Sequence, residues 1–330
     1  MFKNIKPLVY AVKHKNGDVI KNSSSGGAFT ALSDVFLKEG NAVASCIYNY
    51  RNDRVEFRIY DDVETRNLAR GSKYIQANID DGFKKLVVWL NDNPNRNLLV
   101  VGSGCQMEGL RLLLEFKKLR ERAILVDFIC HGATSSGLWQ EYIKNKGIKG
   151  KIDFLCFKDK RVNWHNPTAF AKVKGKEVSI KDFSEWFYGG WAIRESCYDC
   201  PFTKINRNTD ITIGDFWGIE NVIPDFADPM GVSLMIIQSE RGYSLFEKIK
   251  DSIIFRECSQ QDCLQPRLKS PPDCPKDREL FWHDIQMKGL EYCSRNYKEV
   301  VPEYFFCHCF IKKVKSIARK LFHSSWFKKL

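Results

Sequence analysis

No apolar run in this 330-residue chain approaches the length of a membrane span. The opening Met1-Phe-Lys-Asn-Ile-Lys-Pro7 lacks the apolar segment of a secretory leader and passes directly into strand-like residues. On these absences the expectation is a cytoplasmic protein whose thiols stay reduced, so its twelve cysteines read as ligands or core residues and not as disulfides. Internal repeats are missing, and so is a second C-x-x-C, which leaves the two-pair pattern of a structural zinc site incomplete. Acidic residues are absent from 311–330, where seven Lys or Arg account for most of the net charge of +12 and leave +5 for the rest. A body so mildly basic is not expected to bind nucleic acid.

What the chain does have is one close pair, Cys197-Tyr-Asp-Cys200-Pro201, and two lone cysteines that each follow a short apolar run. Cys105 comes after Asn97-Leu-Leu-Val-Val-Gly102, and Cys130 closes Ala123-Ile-Leu-Val-Asp-Phe-Ile129. Runs of that kind read as strands covered on both faces of a parallel sheet. Both cysteines then fall at strand C-terminal ends, where open α/β sheets place their ligands. Spacing alone admits zinc, an iron–sulfur cluster, thiol redox chemistry, or two core cysteines beside an incidental pair.

Along the chain, 8–12 reads as a first strand, followed by a turn at Asn16-Gly17. Next, Ser24, Ser25, Gly26 and Gly27 open an amphipathic helix, a serine cap and glycines that suit a phosphate or merely make a turn and a cap. A strand pair is expected at 41–48 and 55–60 and a short capped helix at 61–68. That helix delivers Arg70-Gly71-Ser72-Lys73-Tyr74-Ile75-Gln76, whose hydroxyl, cation and ring could hold a phosphate and stack on a flat cofactor, or form an ordinary surface loop. Helices at 80–91, 106–118 and 137–146 alternate with the two cysteine strands. His131, beside Cys130, either tunes a metal site or is a satisfied loop histidine. Between 151 and 181 the texture becomes that of an antiparallel insertion, with aromatic residues at 183–191. Strands at 211–217 and 232–237, the first carrying Gly214 and Asp215 where a ligand could approach, and helices at 240–250 and 278–288 complete the body. The fold expected is α/β, with a mixed, mainly parallel sheet flanked by helices and an antiparallel insertion.

In this order, Ser-Ser-Ser-Gly-Gly (23–27), Arg-Gly-Ser-Lys-Tyr-Ile-Gln (70–76), Gly-Ser-Gly-Cys-Gln (102–106), Ile-Cys-His-Gly (129–132), Ser-Cys-Tyr-Asp-Cys (196–200) and Asp-Ile-Thr-Ile-Gly-Asp-Phe-Trp-Gly (210–218) resemble the coenzyme F420 hydrogenase/dehydrogenase beta-subunit family over roughly residues 8–290. The resemblance implies a flavin-dependent oxidoreductase carrying FAD and a [4Fe–4S] cluster, or an electron-transfer subunit of one. In it Cys105, Cys130, Cys197 and Cys200 match the cluster ligands. Ser24, Ser25, Gly26, Gly27, Gly71, Ser72, Lys73, Tyr74 and Gln76 match the flavin-binding segments, with Gly214 and Asp215 as further candidates. No catalytic residue is implied. A hydride donor, either a reduced deazaflavin or NAD(P)H, and a redox partner protein are the implied partners. Some similar proteins are associated with surface-polysaccharide synthesis. The rival reading is a zinc-stabilised, non-catalytic binding module. Two departures stand out: the chain has no N-terminal ferredoxin-like cysteine run, and the family's usual Gly-Thr-Pro-Cys-Gln is here Gly-Ser-Gly-Cys-Gln. Residues 1–300 are expected to form the redox domain, and 301–330 a basic amphipathic tail suited to peripheral contact with an anionic membrane.

Overall fold

Side chains buried on both faces of a few central strands organise the molecule. The computed structural model describes residues 4–79, 81–161, 164–165 and 167–298. Its strands are β1 (Asn4–His14), β2 (Ala42–Asn49), β3 (Arg54–Tyr60), β4 (Leu98–Ser103), β5 (Ala123–Phe128), β6 (Ile152–Asp159), β7 (Thr168–Val173), β8 (Lys176–Ser179), β9 (Ile211–Asp215), β10 (Ser233–Ser239) and β11 (Ile253–Cys258). The helices are α1 (Gly17–Lys21), α2 (Ala28–Lys38), α3 (Val63–Ala69), α4 (Gly82–Asp92), α5 (Gly104–Phe116), α6 (Ser136–Asn145), α7 (Lys181–Tyr188), α8 (Ile219–Val222), α9 (Glu240–Ile249) and α10 (Arg278–Asn296).

The large sheet runs β11-β1-β10-β9-β5-β4-β2-β3. Parallel pairs hold its centre, β2 with β4, β4 with β5 and β5 with β9. Antiparallel pairs flank them on both sides. Alternate residues of β4 face opposite layers: Leu99 and Val101 pack with Phe36 of α2 and Phe246 of α9, while Leu98 and Val100 pack with Leu86 of α4 and Leu110 of α5. Each such side chain contributes roughly 1.5–3 kcal/mol on burial, which explains why the run reads as continuously apolar. The expected α/β class, mixed sheet and flanking helices are therefore present.

The antiparallel insertion is a separate sheet, β6-β7-β8. It encloses a second, aromatic core in which Trp139, Tyr142, Phe157, Phe183, Trp186 and Phe281 come together from α6, β6, α7 and α10. The Asn16-Gly17 turn is the start of a helix instead: the Asn16 side chain accepts from the Asp18 amide at 2.8 Å and caps α1. Helix α10 continues past the expected end through a break at Gly289, φ 80°. Among the described residues no helix is long and apolar enough to cross a membrane. The basic stretch 301–330 lies outside the described residues.

Candidate functional site

Because β4, β5 and β9 run parallel, their C-terminal ends share one edge of the sheet. Cys105 sits there in the first turn of α5, with its Sγ 3.2 Å from the Ser103 hydroxyl, and Gln106 Oε1 accepts from the Ser103 amide at 3.1 Å to fix the turn. The Gly-Ser-Gly variation has a local cause. A Cβ on Gly104 would stand 2.9 Å from Phe202 Cβ, so the residue behind the C-x-x-C-P segment occupies the space a larger residue would need.

The close pair reaches this edge through a buried ion pair. Arg207 Nη1 donates to Asp127 Oδ2 at 2.8 Å and to the Phe128 carbonyl at 3.3 Å, and the Thr209 hydroxyl donates to Asp127 Oδ1 at 3.2 Å. These contacts tie the stretch after Cys200 to β5, three residues before Cys130. Burial pushes the Cys130 thiol up to about 12, and Cys197, Cys105 and Cys200 add to the rise, so the four expected thiols are electrostatic neighbours. Cys197 is raised likewise, by burial first and then by Cys200 and Cys105. Among the described residues no three Cys, His, Asp or Glu side chains are grouped tightly enough to hold one metal ion. Mutual repulsion of this kind is what a bound cation relieves, and the donor set is all sulfur. His131 lies beside it with its pKa lowered to about 4, by burial first and then by Arg267. Its Nε2 is buried without a partner, and its ring is 5.0 Å from Phe187.

The loop at 70–76 is stitched to the same edge. Gln76 N donates to the Thr134 carbonyl at 2.9 Å, the Thr134 hydroxyl donates to the Tyr74 carbonyl at 2.7 Å, and Arg194 N donates to the Ala133 carbonyl at 3.0 Å. Arg194 also donates through its side chain to Gln76 Oε1. The loop meets the serine segment where the Ser24 and Ser72 hydroxyls bond at 2.9 Å. Thus the two expected flavin segments adjoin each other, and one of them adjoins the cysteines.

Residues of these segments also make contacts within the protein. The helix cap is Gly27, at φ 90° in the left-handed region glycine favours, and no serine side chain caps α2. Ser25 donates instead to the Val232 carbonyl at 2.7 Å. Gly26 lies against the sheet backbone, while exposed Gly71 has open space around it. The Lys73 ammonium donates to the carbonyls of Leu68, Ala69, Arg70 and Gly71 at 2.8–3.3 Å, closing the end of α3, and burial lowers its pKa to about 8. Tyr74 stacks on Phe187 at 4.3 Å and its phenol bonds to that of Tyr188. Gly214 lies under Ile129, and Asp215 pairs with Lys158.

Sequence reasoning missed Lys158 and Lys160. Lys158 is buried, with its ammonium 4.7 Å from the Trp217 ring, which stacks on Trp164 at 4.6 Å. Lys160, also buried, donates to the carbonyls of Ile20, Ser25 and Met230 at 2.7, 3.1 and 2.6 Å. The available signal was a charged Lys-Asp-Lys closing an apolar strand, residues of a type rarely buried unless paired.

The profile describing the C terminus of the coenzyme F420 hydrogenase/dehydrogenase beta subunit matches residues 95–261. The chain belongs to this family. The matched region spans all four cysteines of the edge together with Gly214 and Asp215, and leaves Ser24–Gly27 and 71–76 outside. This member of the F420 hydrogenase/dehydrogenase beta-subunit family also resembles a solved chain of the F420-reducing [NiFe] hydrogenase complex from Methanosarcina barkeri, studied by xenon derivatization. The TM-score is 0.52 and the identity 15%, over 88% of this chain and 93% of that one. At that identity the likeness is one of fold. No curated protein matches the chain.

Proposed function

We propose that this beta-subunit relative is an electron-transferring oxidoreductase subunit that holds a [4Fe–4S] cluster on Cys105, Cys130, Cys197 and Cys200 and FAD along the Ser24–Gly27 and 71–76 segments. The observation that supports it is electrostatic: burial raises the Cys130 thiol, and Cys197, Cys105 and Cys200, from two other segments, add to the rise. When bound, these groups would supply two-electron exchange with a hydride donor and one-electron exchange with a partner. A cluster takes its thiolates on separate irons and suits ligands that stand apart. A single zinc, with every sulfur about 2.3 Å from one ion, requires them closed up.

The chain's own contribution is positional. The Arg207–Asp127 pair holds the C-x-x-C segment against β5, and the first turn of α5 places Cys105 at the same edge. Phe187, Tyr74 and Tyr188 pack on one another beside His131. Residues 1–300 then act as one redox domain containing the 151–181 insertion. The hydride donor is read as a reduced deazaflavin or NAD(P)H, and the electron acceptor as a partner protein. The test is anaerobic purification followed by addition of NADH, NADPH or a reduced deazaflavin. Flavin and cluster absorbance that bleaches with one donor is expected. A colourless protein holding zinc would overturn the reading.

A further inference from the structure

His14, the last residue of β1, is nine-tenths buried, and its Nδ1 accepts from the Asn16 amide at 3.0 Å. A neutral ring with Nδ1 accepting carries its proton on Nε2. That Nε2 is buried without a partner, so a donor stands ready with nothing to receive it. The ring lies against the start of α2, since a Cβ on Gly27 would come within 3.0 Å of His14 Cβ. Helix α2 has eleven residues, and no side chain caps its first turn. Half-buried Arg70 reaches the same turn, where its Nε donates to the Thr30 hydroxyl at 3.1 Å. Arg70 and Arg66 both depress the His14 pKa, after the larger effect of burial. The acid acting on both His14 and Arg70 is Asp34, and its Oδ1 is already bonded to Arg66 Nη1. What remains is a ring N–H, a guanidinium and open helix amides, all donors. Lys73, the cation expected here from sequence, is committed to the carbonyls at the end of α3.

We propose that His14 Nε2, the Arg70 guanidinium and the open first turn of α2 bind a phosphate group of a nucleotide, beside the Ser24 and Ser72 hydroxyls. Helix amides and a planar guanidinium are well matched to phosphate oxygens. The identity of the nucleotide rests on the flavin reading above: the phosphates are those of FAD, and the site separates FAD from riboflavin, which has none.

Binding of FAD, ADP and riboflavin to flavin-free full-length protein tests this by calorimetry. Arg70→Met should weaken FAD and ADP roughly 10- to 100-fold, as expected for loss of a charged hydrogen bond. His14→Phe should weaken both by a smaller factor, Arg70→Lys should retain part of the affinity, and riboflavin should bind all variants alike. Unchanged FAD and ADP affinity in Arg70→Met and His14→Phe overturns the site while leaving the flavin reading intact. Equal weakening of riboflavin also overturns it, because that marks a general loss of structure. Arg70-dependent binding of ADP without any binding of FAD or riboflavin supports the phosphate site and overturns the flavin reading. Failure of wild type to bind either FAD or ADP overturns the site.

Discussion

A Cβ on Gly26 would stand 2.3 Å from the Val12 carbonyl oxygen and 2.7 Å from the Ser233 amide. Both are backbone atoms of paired strands, which cannot yield without disturbing the β1–β10 ladder. Gly26→Ala should therefore cost about 3 kcal/mol, the upper range for overpacking. Urea denaturation measures it, and an unchanged midpoint would contradict the close approach. The same residue shows the limit of reading sequence locally. Ser24-Ser25-Gly26-Gly27 was legible as a helix start and a turn, but Ser233, against which Gly26 packs, and Val232, to which Ser25 bonds, lie more than two hundred positions away. From sequence Lys73 was the candidate phosphate contact and Arg70 was not singled out. The geometry turns one onto carbonyls and leaves the other at the first turn of α2.

At the scale of elements, the strands leading to Cys105 and Cys130 were legible because each is buried on both faces and so mostly apolar. The β2–β3 pair was legible from its turn, where Asp53 adopts φ 53°. The placement of β1 between β10 and β11 was not legible, since pairing order depends on long-range contacts that alternation does not encode. Strand β11 left little trace because most of its residues are exposed or half-buried. The link from the C-x-x-C to β5 likewise rests on Arg207 and Asp127, eighty positions apart. Arg207→Met would leave Asp127 buried and unpaired, at a cost of about 3–5 kcal/mol. Adding Asp127→Asn to it should recover part of that loss in a denaturation experiment. A single variant as stable as wild type would show that the pair does not hold the segment.

For the whole molecule, Lys160 joins the insertion to α1, to the serine segment and to the stretch before β10 through three carbonyls. Burial lowers its pKa to about 8, whereas an unfolded lysine titrates near 10.4. From about pH 8 up to that value the unfolded chain binds more protons than the folded one. Its contribution to stability therefore rises with pH over this window and is lost as pH falls through the folded value. Lys73, also lowered to about 8, acts in the same direction, so the comparison with a variant isolates Lys160. Lys160→Met should show a shallower rise in stability between about pH 8 and 10 than wild type; parallel slopes would contradict the assignment. At this scale the proposed iron site joins four cysteines from three segments. Iron content per chain, measured after anaerobic purification of wild type and of single Cys→Ser variants, tests it most directly. Loss of iron is predicted at positions 105, 130, 197 and 200, and its retention in Cys258→Ser and Cys293→Ser. Wild type without iron, or the same iron content in both sets of variants, would contradict it.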